Sequence, residues 1–389
     1  MTGLCPLLMV DFEARKGKIF MAFSDLSAER SMVEAEWKIS SVTEPLLNWY
    51  HLSARTMPWR SEPSPYRVWL SEIMLQQTRV EAVIPYFLRF VRAIPDISAL
   101  AAASEEQLHK LWEGLGYYSR VRNLQKAAKQ IMERYDGALP PSYELLLDLC
   151  GIGPYTAGAI ASIAFGIPVP AVDGNVLRVL SRIFASEADI GAATVKKEYQ
   201  ELLYRTMPQD KPGDFNQALM ELGATVCLPN GKPKCEDCPI AFGCLGYQQG
   251  NPTLYPVKAE KKPRRTELKT VLVLCTPQGV LMHKRPSSGL LAGLWEFPNL
   301  NGHLTKQEVK DYLKSRGIQE KSIEPLKPTK HIFTHIEWQM TGYYITSAEI
   351  RPASDEAISG ITELEQTYTV PNAFAAYKKV LSERMKKKH

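Results

Sequence analysis

The sequence predicts a mostly α-helical N-terminal region followed by a smaller α+β domain. Three observations carry that expectation. From about Ser40 to Gly250, apolar residues recur at spacings of three and four, the period of helices packed on one face. A stretch rich in proline, lysine and arginine, NPTLYPVKAEKKPRRTELK, then interrupts the pattern as a linker does. Beyond it, short runs rich in valine, leucine and tyrosine alternate with turn residues, which is the pattern of strands. The predicted organisation is a segment 1–38 outside the fold (disordered, or a mis-assigned start), a helical region over 39–250, a linker over 251–265 and the α+β domain over 266–389.

The helical segments follow in order: VTEPLLNWYHLS, YRVWLSEIMLQQ, SEEQLHKLWEGL, VRNLQKAAKQIMERY, YELLLDL, NVLRVLSRIF, VKKEYQELLYRTM and DFNQALMELGATV. In the last, Phe215, Leu219, Leu222 and Val226 form one stripe that delivers Cys227 at the helix end. Proline and glycine punctuate the joints, as at Pro58, Pro95, Gly137, Pro140 and Pro208. In the second region KTVLVLCT, GVLMHKR and QMTGYYIT read as strands, and TKQEVKDYLKSRG and NAFAAYKKVLSERM as helices. There is no internal repeat.

Composition bounds the function. The 389 residues are 45% hydrophobic and 23% charged, as in ordinary globular proteins, and leave room for two or three domains. A net charge of +5 permits nucleic-acid binding without arguing for it. No secretory signal is visible, so lasting disulfides are not expected and the cytoplasm is the expected compartment. The uncharged stretch Thr156–Val172 is rich in alanine and glycine and carries Pro168 and Pro170. It reads as a buried small-residue helix, so no membrane partner is expected.

Four of the seven cysteines fall in one loop, Cys227, Cys235, Cys238 and Cys244, spaced C-x7-C-x2-C-x5-C. A structural zinc site usually shows two close pairs, each on its own knuckle. One close pair with two outliers suits a cubane [4Fe–4S] cluster, whose irons each take one thiolate. Zinc and free thiols are the alternatives. Lys232 and Lys234 ride on the same loop, where they can meet phosphates.

The stretch LCGIGPYTAGAIAS follows one helix and opens another. Gly151 and Gly153 allow a tight turn with outward backbone N–H groups, and the next helix adds its positive end. Such a cradle binds phosphate without reading sequence, although a plain connector has the same letters. Asp173, some twenty residues on in VDGNVLRVL, has the ordinary reading of a helix cap.

Together the glycine hairpin, the later aspartate and the cysteine loop resemble the helix–hairpin–helix DNA glycosylases with an iron–sulfur cluster, and within them the MutY type. MPWR, SEIMLQQTRVEAVIPYF, LGYYSRVRNL, GIGPYTAGAI, AVDGNV and FNQALMELGA carry the likeness, which runs from about Val42 to the C-terminus. The resemblance implies a six-helix bundle plus an iron–sulfur-loop domain, then a Nudix-like C-terminal domain. The implied activity is base excision of adenine opposite 8-oxoguanine or guanine in double-stranded DNA, by a monomer that associates with the nucleoid. Cleaving the N-glycosidic bond requires an extruded base, a proton for the leaving purine and a negative neighbour for the sugar as it turns cationic.

By resemblance Glu72 is the general acid, Asp173 the ionised partner and Asn175 the residue that orients it. Leu70, Ile73, Met74 and Leu75 around Glu72 argue against a solvated helix face. Tyr155 stands where the endonuclease III type has a lysine that forms a Schiff base and cuts the strand. Base excision without an efficient lyase step is therefore expected, and a bifunctional enzyme acting on damaged pyrimidines is the alternative. Arg55, Trp59, Arg60, Leu75, Gln217 and Met220 match positions lining the adenine pocket. Gln77 and Tyr117 match residues that wedge into the base stack.

HKRPSSGLLAGLWEFPN resembles the start of a Nudix-type domain, but no clustered glutamates follow it, so pyrophosphate hydrolysis is not expected. Phe333, Thr334 and His335 match a Phe-Ser-His loop that recognises 8-oxoguanine. The chain departs from the family at Thr334, at Cys150 where many relatives have proline, and in a first cysteine gap of seven residues where six is common. Gln217 is neutral where some relatives carry glutamate.

Overall fold

The computed structural model describes residues 28–260 and 263–386; expectations for residues 1–27 lie outside these. Helix begins at Ala28 and runs to Ser53, so it starts ahead of the boundary predicted at residue 39. Its anchoring explains the difference: Ala35 packs on the core, and the Lys38 ammonium donates to the Gly243 carbonyl at 3.1 Å.

The described residues form two compact units, interleaved along the chain. One comprises the residues up to Arg55 and Ala157–Ala259; the other comprises Thr56–Thr156 and the residues from Glu260 onward. The helical region predicted as one block is thus shared between them. Periodicity reveals helices but not which helices pack together.

In the first unit, helices Ala28–Ser53, Gly174–Ile183, Ala193–Thr206 and Pro212–Thr225 enclose a core that includes Leu46, Val176, Leu180, Leu203, Phe215 and Leu219. In the second unit, helices Pro65–Leu75, Ile97–Ala102, Glu105–Trp112 and Tyr143–Leu147 are capped by Ser64, Asp96, Ser104 and Ser142. Each capping side chain accepts a hydrogen bond from an amide of the first turn. Helices Pro58–Ser61, Val80–Ala93 and Ser119–Arg134 lie in the same part, with Phe87, Phe90 and Trp112 wholly buried.

The stretch Thr156–Val172 lies mostly in helix Pro154–Phe165, and Ala157, Ala159, Ile160 and Ala161 are fully buried. Among the described residues no helix is long and apolar enough to cross a membrane.

The C-terminal part of the second unit is a seven-stranded mixed sheet with helices. Its strands are β1 (Arg265–Thr276), β2 (Gly279–Lys284), β3 (Trp295–Glu296), β4 (Asn299–Asn301), β5 (Glu320–Ile332), β6 (Ile336–Ser347) and β7 (Glu356–Ser359). The order is β3-β2-β1-β6-β5, with β4 paired to β1 and β7 to β2; β1 and β6 run parallel. Alternate residues of β1 enter different cores, Val271 and Val273 one, Leu272 and Leu274 the other. Burial on both faces explains why β1 reads as an unbroken apolar run. Strand β5 carries Pro325 and Pro328, which hide it in the sequence. It lies at the edge of the sheet, with a register shift between Leu326 and Thr329.

Candidate active site and nucleic-acid interface

Glu72 lies on helix Pro65–Leu75 and is 6% exposed, so its carboxyl is withdrawn from water. The Tyr155 hydroxyl, from the first turn of helix Pro154–Phe165, donates to Glu72 Oε2 at 2.5 Å. Both residues belong to the second unit. A carboxyl so placed is suited to holding or giving up one proton, and a tyrosine hydroxyl steadies either state.

Asp173, in the first unit, caps helix Gly174–Ile183. Its Oδ1 accepts from the amides of Asn175 and Val176, both at 2.8 Å, and its Oδ2 accepts from Asn175 Nδ2 at 2.7 Å. The cap reading and the orienting contact therefore coexist in one geometry. Burial pushes the Asp173 carboxyl above the usual range. These hydrogen bonds and the Arg178 charge act in the opposite direction.

Two buried residues that sequence reasoning missed support this aspartate. Arg178 Nη2 donates to Asn175 Oδ1 at 3.0 Å and to the Gly223 carbonyl at 2.7 Å, while its Nε donates to the Cys227 carbonyl at 2.8 Å. Gly223 is required there, because a Cβ would lie 2.6 Å from that of Asn175. Asn216 accepts from the Ala171 amide at 3.0 Å and donates to the Val169 carbonyl at 2.9 Å, which fixes the extended approach to Asp173. Polar partners so distant in sequence leave no local pattern.

The four loop cysteines are half-buried and free of disulfides, and they line one pocket with Arg182, Pro233 and Lys234. Arg182 Nη1 lies 3.2 Å from Cys227 Sγ, and Cys244 Sγ donates to the Arg182 carbonyl at 3.3 Å. Burial raises the Cys238 thiol to about 12, and the neighbouring cysteines add to the rise. As they stand, these thiols and the other histidine, cysteine, aspartate and glutamate side chains among the described residues form no set of three that could hold a metal ion. Four thiols around one pocket do match the donor set of a cluster with one thiolate per iron. Lys232 and Lys234 are exposed on the same loop.

In the hairpin, Gly151 has φ 77° and a Cβ there would meet that of Asn123 at 2.7 Å, so both conformation and packing require glycine. Gly153 differs from expectation. It is absent from the positive-φ residues, and a Cβ there would meet nothing within 4 Å. The turn does not need a glycine at 153; bare backbone at that position only keeps the exposed surface open. Cys150 lines a cavity of about 160 Å³ with Trp69, Asn123 and Gly151.

The two wedge candidates share a feature invisible in sequence. Gln77 and Tyr117 both hold positive φ, 58° and 48°, and both are exposed. Phe333, Thr334 and His335 form the turn between β5 and β6, closed by the Phe333 amide donating to the Ile336 carbonyl at 2.8 Å. Phe333 packs edge-on against His331 and Trp338, which leaves Thr334 and His335 exposed. The Thr334 hydroxyl lies 3.2 Å from that of Tyr117.

The adenine-pocket candidates divide between the units. Arg55, Gln217 and Met220 belong to the first, and Trp59, Arg60 and Leu75 to the second. Arg55 is engaged by Glu221, which is 1% exposed: Arg55 Nε meets Oε1 at 2.6 Å and Nη2 meets Oε2 at 3.2 Å. Trp59 is a core residue, edge-on to Phe87 at 5.2 Å. Arg60, Leu75, Gln217 and Met220 are half-buried.

Residues 70–205 match the HhH-GPD superfamily of base excision DNA repair proteins, and residues 270–379 match the NUDIX domain. The adenine DNA glycosylase of Mus musculus is 38% identical over 357 residues, spanning 77% of this chain and 69% of that protein. That of Rattus norvegicus is 36% identical, spanning 81% and 72%. An adenine DNA glycosylase of Buchnera aphidicola is 36% identical, spanning 75% and 83%. Among solved structures, a thermostable thymine-DNA glycosylase aligns with TM-score 0.50 and 27% identity over 56% of this chain and 99% of that one. Joined to a buried glutamate, a capping aspartate and a glycine hairpin, this likeness over most of both chains shows that the protein belongs to the adenine DNA glycosylase family, whose members hydrolyse N-glycosyl bonds in DNA.

Proposed function

We propose that the chain removes adenine paired with 8-oxoguanine or guanine from double-stranded DNA, acting as a monomer on cytoplasmic DNA. The observation that carries the reading is the buried Glu72 carboxyl with the Tyr155 hydroxyl on it. Glu72, protonated, gives its proton to a ring nitrogen of the extruded adenine. The purine leaves as a neutral base, and Glu72 as carboxylate then accepts a proton from the attacking water. Asp173 faces the sugar as an anion, and the positive charge developing there opposes the effect of burial on its carboxyl. Asn175 and Arg178 hold its orientation. Tyr155 has no amine, so no Schiff base forms at this position and strand cleavage is not coupled to excision.

Gly151 and Gly153 present backbone N–H groups to a phosphate, with Lys232 and Lys234 adding charge. Gln77 and Tyr117 enter the gap left by the extruded base. Thr334, with Phe333 and His335, reads the opposite 8-oxoguanine. Arg55, Trp59, Arg60, Leu75, Gln217 and Met220 shape the adenine pocket. Cys227, Cys235, Cys238 and Cys244 would hold a [4Fe–4S] cluster, one thiolate to each iron, which would stabilise the fold of the loop.

Single-turnover incubation with duplexes carrying A opposite 8-oxoguanine, A opposite G and C opposite 8-oxoguanine tests the reading. Adenine release from the first two only is expected, with strand scission needing alkali. Glu72→Gln should abolish release and leave duplex binding largely intact. Excision by that variant at the parent rate would remove the assignment.

A further inference from the structure

We propose that Arg120 is the positioning residue for both wedges, one guanidinium fixing the two turns that carry Gln77 and Tyr117. The proposal rests on the DNA-glycosylase reading above and extends it to a residue that touches neither base nor sugar.

Arg120 lies in the first turn of helix Ser119–Arg134 and is 8% exposed. Its Nη1 donates to the carbonyls of Ile73 at 2.9 Å, Met74 at 2.9 Å and Gln76 at 2.7 Å. These belong to the end of the Glu72 helix and the residue after it, where carbonyls lack helical donors. Its Nη2 donates to the carbonyls of Leu115 and Gly116, both at 3.1 Å. Gln76 immediately precedes Gln77, and Gly116 immediately precedes Tyr117. One planar fork therefore joins two turns about forty residues apart in sequence at the peptides that set the wedge conformations.

The conformations need holding. Five non-glycine residues among the described ones have positive φ, and two of them are these wedges. Such backbone is unfavourable for residues with a Cβ and persists where surrounding structure over-determines it. The guanidinium also lies 5.6 Å from the Tyr117 ring centroid and 5.3 Å from that of Trp112, whose Nε1 donates to the Gly116 carbonyl at 3.1 Å.

The chemistry of the partners argues for geometry over stability. Among the described residues, the hydrogen bonds of this buried cation go to backbone carbonyls and the Thr78 hydroxyl, and no carboxylate forms an ion pair with it. An apolar side chain of similar volume fills such a site at lower desolvation cost, but cannot fix the distance and angle between two turns. Fixing both wedges before DNA arrives removes their ordering from the cost of opening the duplex.

The test compares the full-length parent with Arg120→Met and Arg120→Lys. The substrate is a duplex with adenine opposite 8-oxoguanine and the fluorescent base 2-aminopurine beside it, so that unstacking is read directly. A second duplex presents the adenine in a bulge, already unstacked. Arg120→Met is expected to slow both the fluorescence rise and adenine release from the paired substrate by roughly tenfold or more, and release from the bulge by less than about threefold. Arg120→Lys keeps the charge without the fork and should fall between. Its Thr78 amide should exchange hydrogen faster than in the parent, which keeps the question answerable if the Met variant fails to fold.

Parent-like unstacking and exchange in the Lys variant, or equal losses on paired and bulged substrates, would overturn the proposal. A parent protein that releases no adenine from either duplex removes the glycosylase reading instead, while the unstacking signal still reports on Arg120.

Discussion

The Tyr155 hydroxyl donates to Glu72 Oε2 at 2.5 Å, joining a buried carboxyl on one helix to the first turn of another. Removing that hydroxyl leaves Glu72 without this donor. Tyr155→Phe is expected to slow adenine release by roughly ten- to a hundredfold, the rate equivalent of losing a hydrogen bond to an ionisable group. Duplex binding should change little. Single-turnover release and a binding titration on the same preparation check this.

Asp173→Asn tests the tension at the helix cap. The folded state raises this carboxyl above its ordinary 3.8, so ionisation opposes folding once the pH exceeds the unfolded value. An asparagine still offers Oδ1 to the Asn175 and Val176 amides and removes the buried charge, at the cost of the Asn175 Nδ2 contact, which has no acceptor in the variant. At pH 7 the variant should melt no lower than the parent and up to a few degrees higher, while releasing adenine at a small fraction of the parent rate. The stability difference should shrink as pH falls towards the range where the parent carboxyl becomes protonated. Thermal melts at several pH values decide it; a variant that melts well below the parent at pH 7 contradicts it.

His109 makes acid sensitivity predictable in the second unit. It is 4% exposed, and burial lowers its pKa below 6.5 in the folded protein, with Arg122 and Lys284 lowering it further and Glu105 and Glu106 opposing. Above about 6.5 the imidazole is neutral in both states and its packing contributes fully. As pH falls below that value the unfolded chain gains a proton first, so stability declines until the folded imidazole also protonates. His109→Leu should flatten this loss between pH 7.5 and 5, as measured by the melting temperature.

The hydroxyls of Tyr117 and of Thr334, in the turn between β5 and β6, lie 3.2 Å apart. Thr334→Val keeps the shape and removes the contact. A net hydrogen bond is worth about 0.5–1.5 kcal/mol, so excision opposite 8-oxoguanine should slow by up to roughly tenfold. Excision opposite guanine should change less. The ratio of the two single-turnover rates is the quantity to measure.

The cysteine pocket predicts cofactor dependence. Cys238→Ser should yield protein with reduced iron and sulfide content and a lower melting temperature, whereas Cys275→Ser, in the sheet core far along the sequence, should keep the full iron content. Elemental analysis and visible absorption distinguish the two variants.

What the sequence revealed follows from locality. The Asp173 cap and the Gly151 turn each lie within a few residues, and the four cysteines fall in one loop, so their nearness in sequence already shows their nearness in space. The burial of Glu72 was legible because Leu70, Ile73 and Met74 leave its helix no solvent face. Arg120, Arg178 and Asn216 were not legible, because their partners include backbone carbonyls from distant segments and every residue type carries a carbonyl. The positive φ of Gln77 and Tyr117 was likewise hidden, since neither residue type signals a left-handed backbone. At residue 153 the glycine has no positive φ and a Cβ would meet nothing within 4 Å, so the letters G-x-G alone do not separate a turn glycine from one on an open surface.

Strand β5 closes one side of the sheet with Pro325 and Pro328 in place. A neighbouring polypeptide seeking to extend the sheet there meets two positions without a donor and a break in the ladder. Replacing both prolines by valine should make the protein more prone to clump on gentle heating.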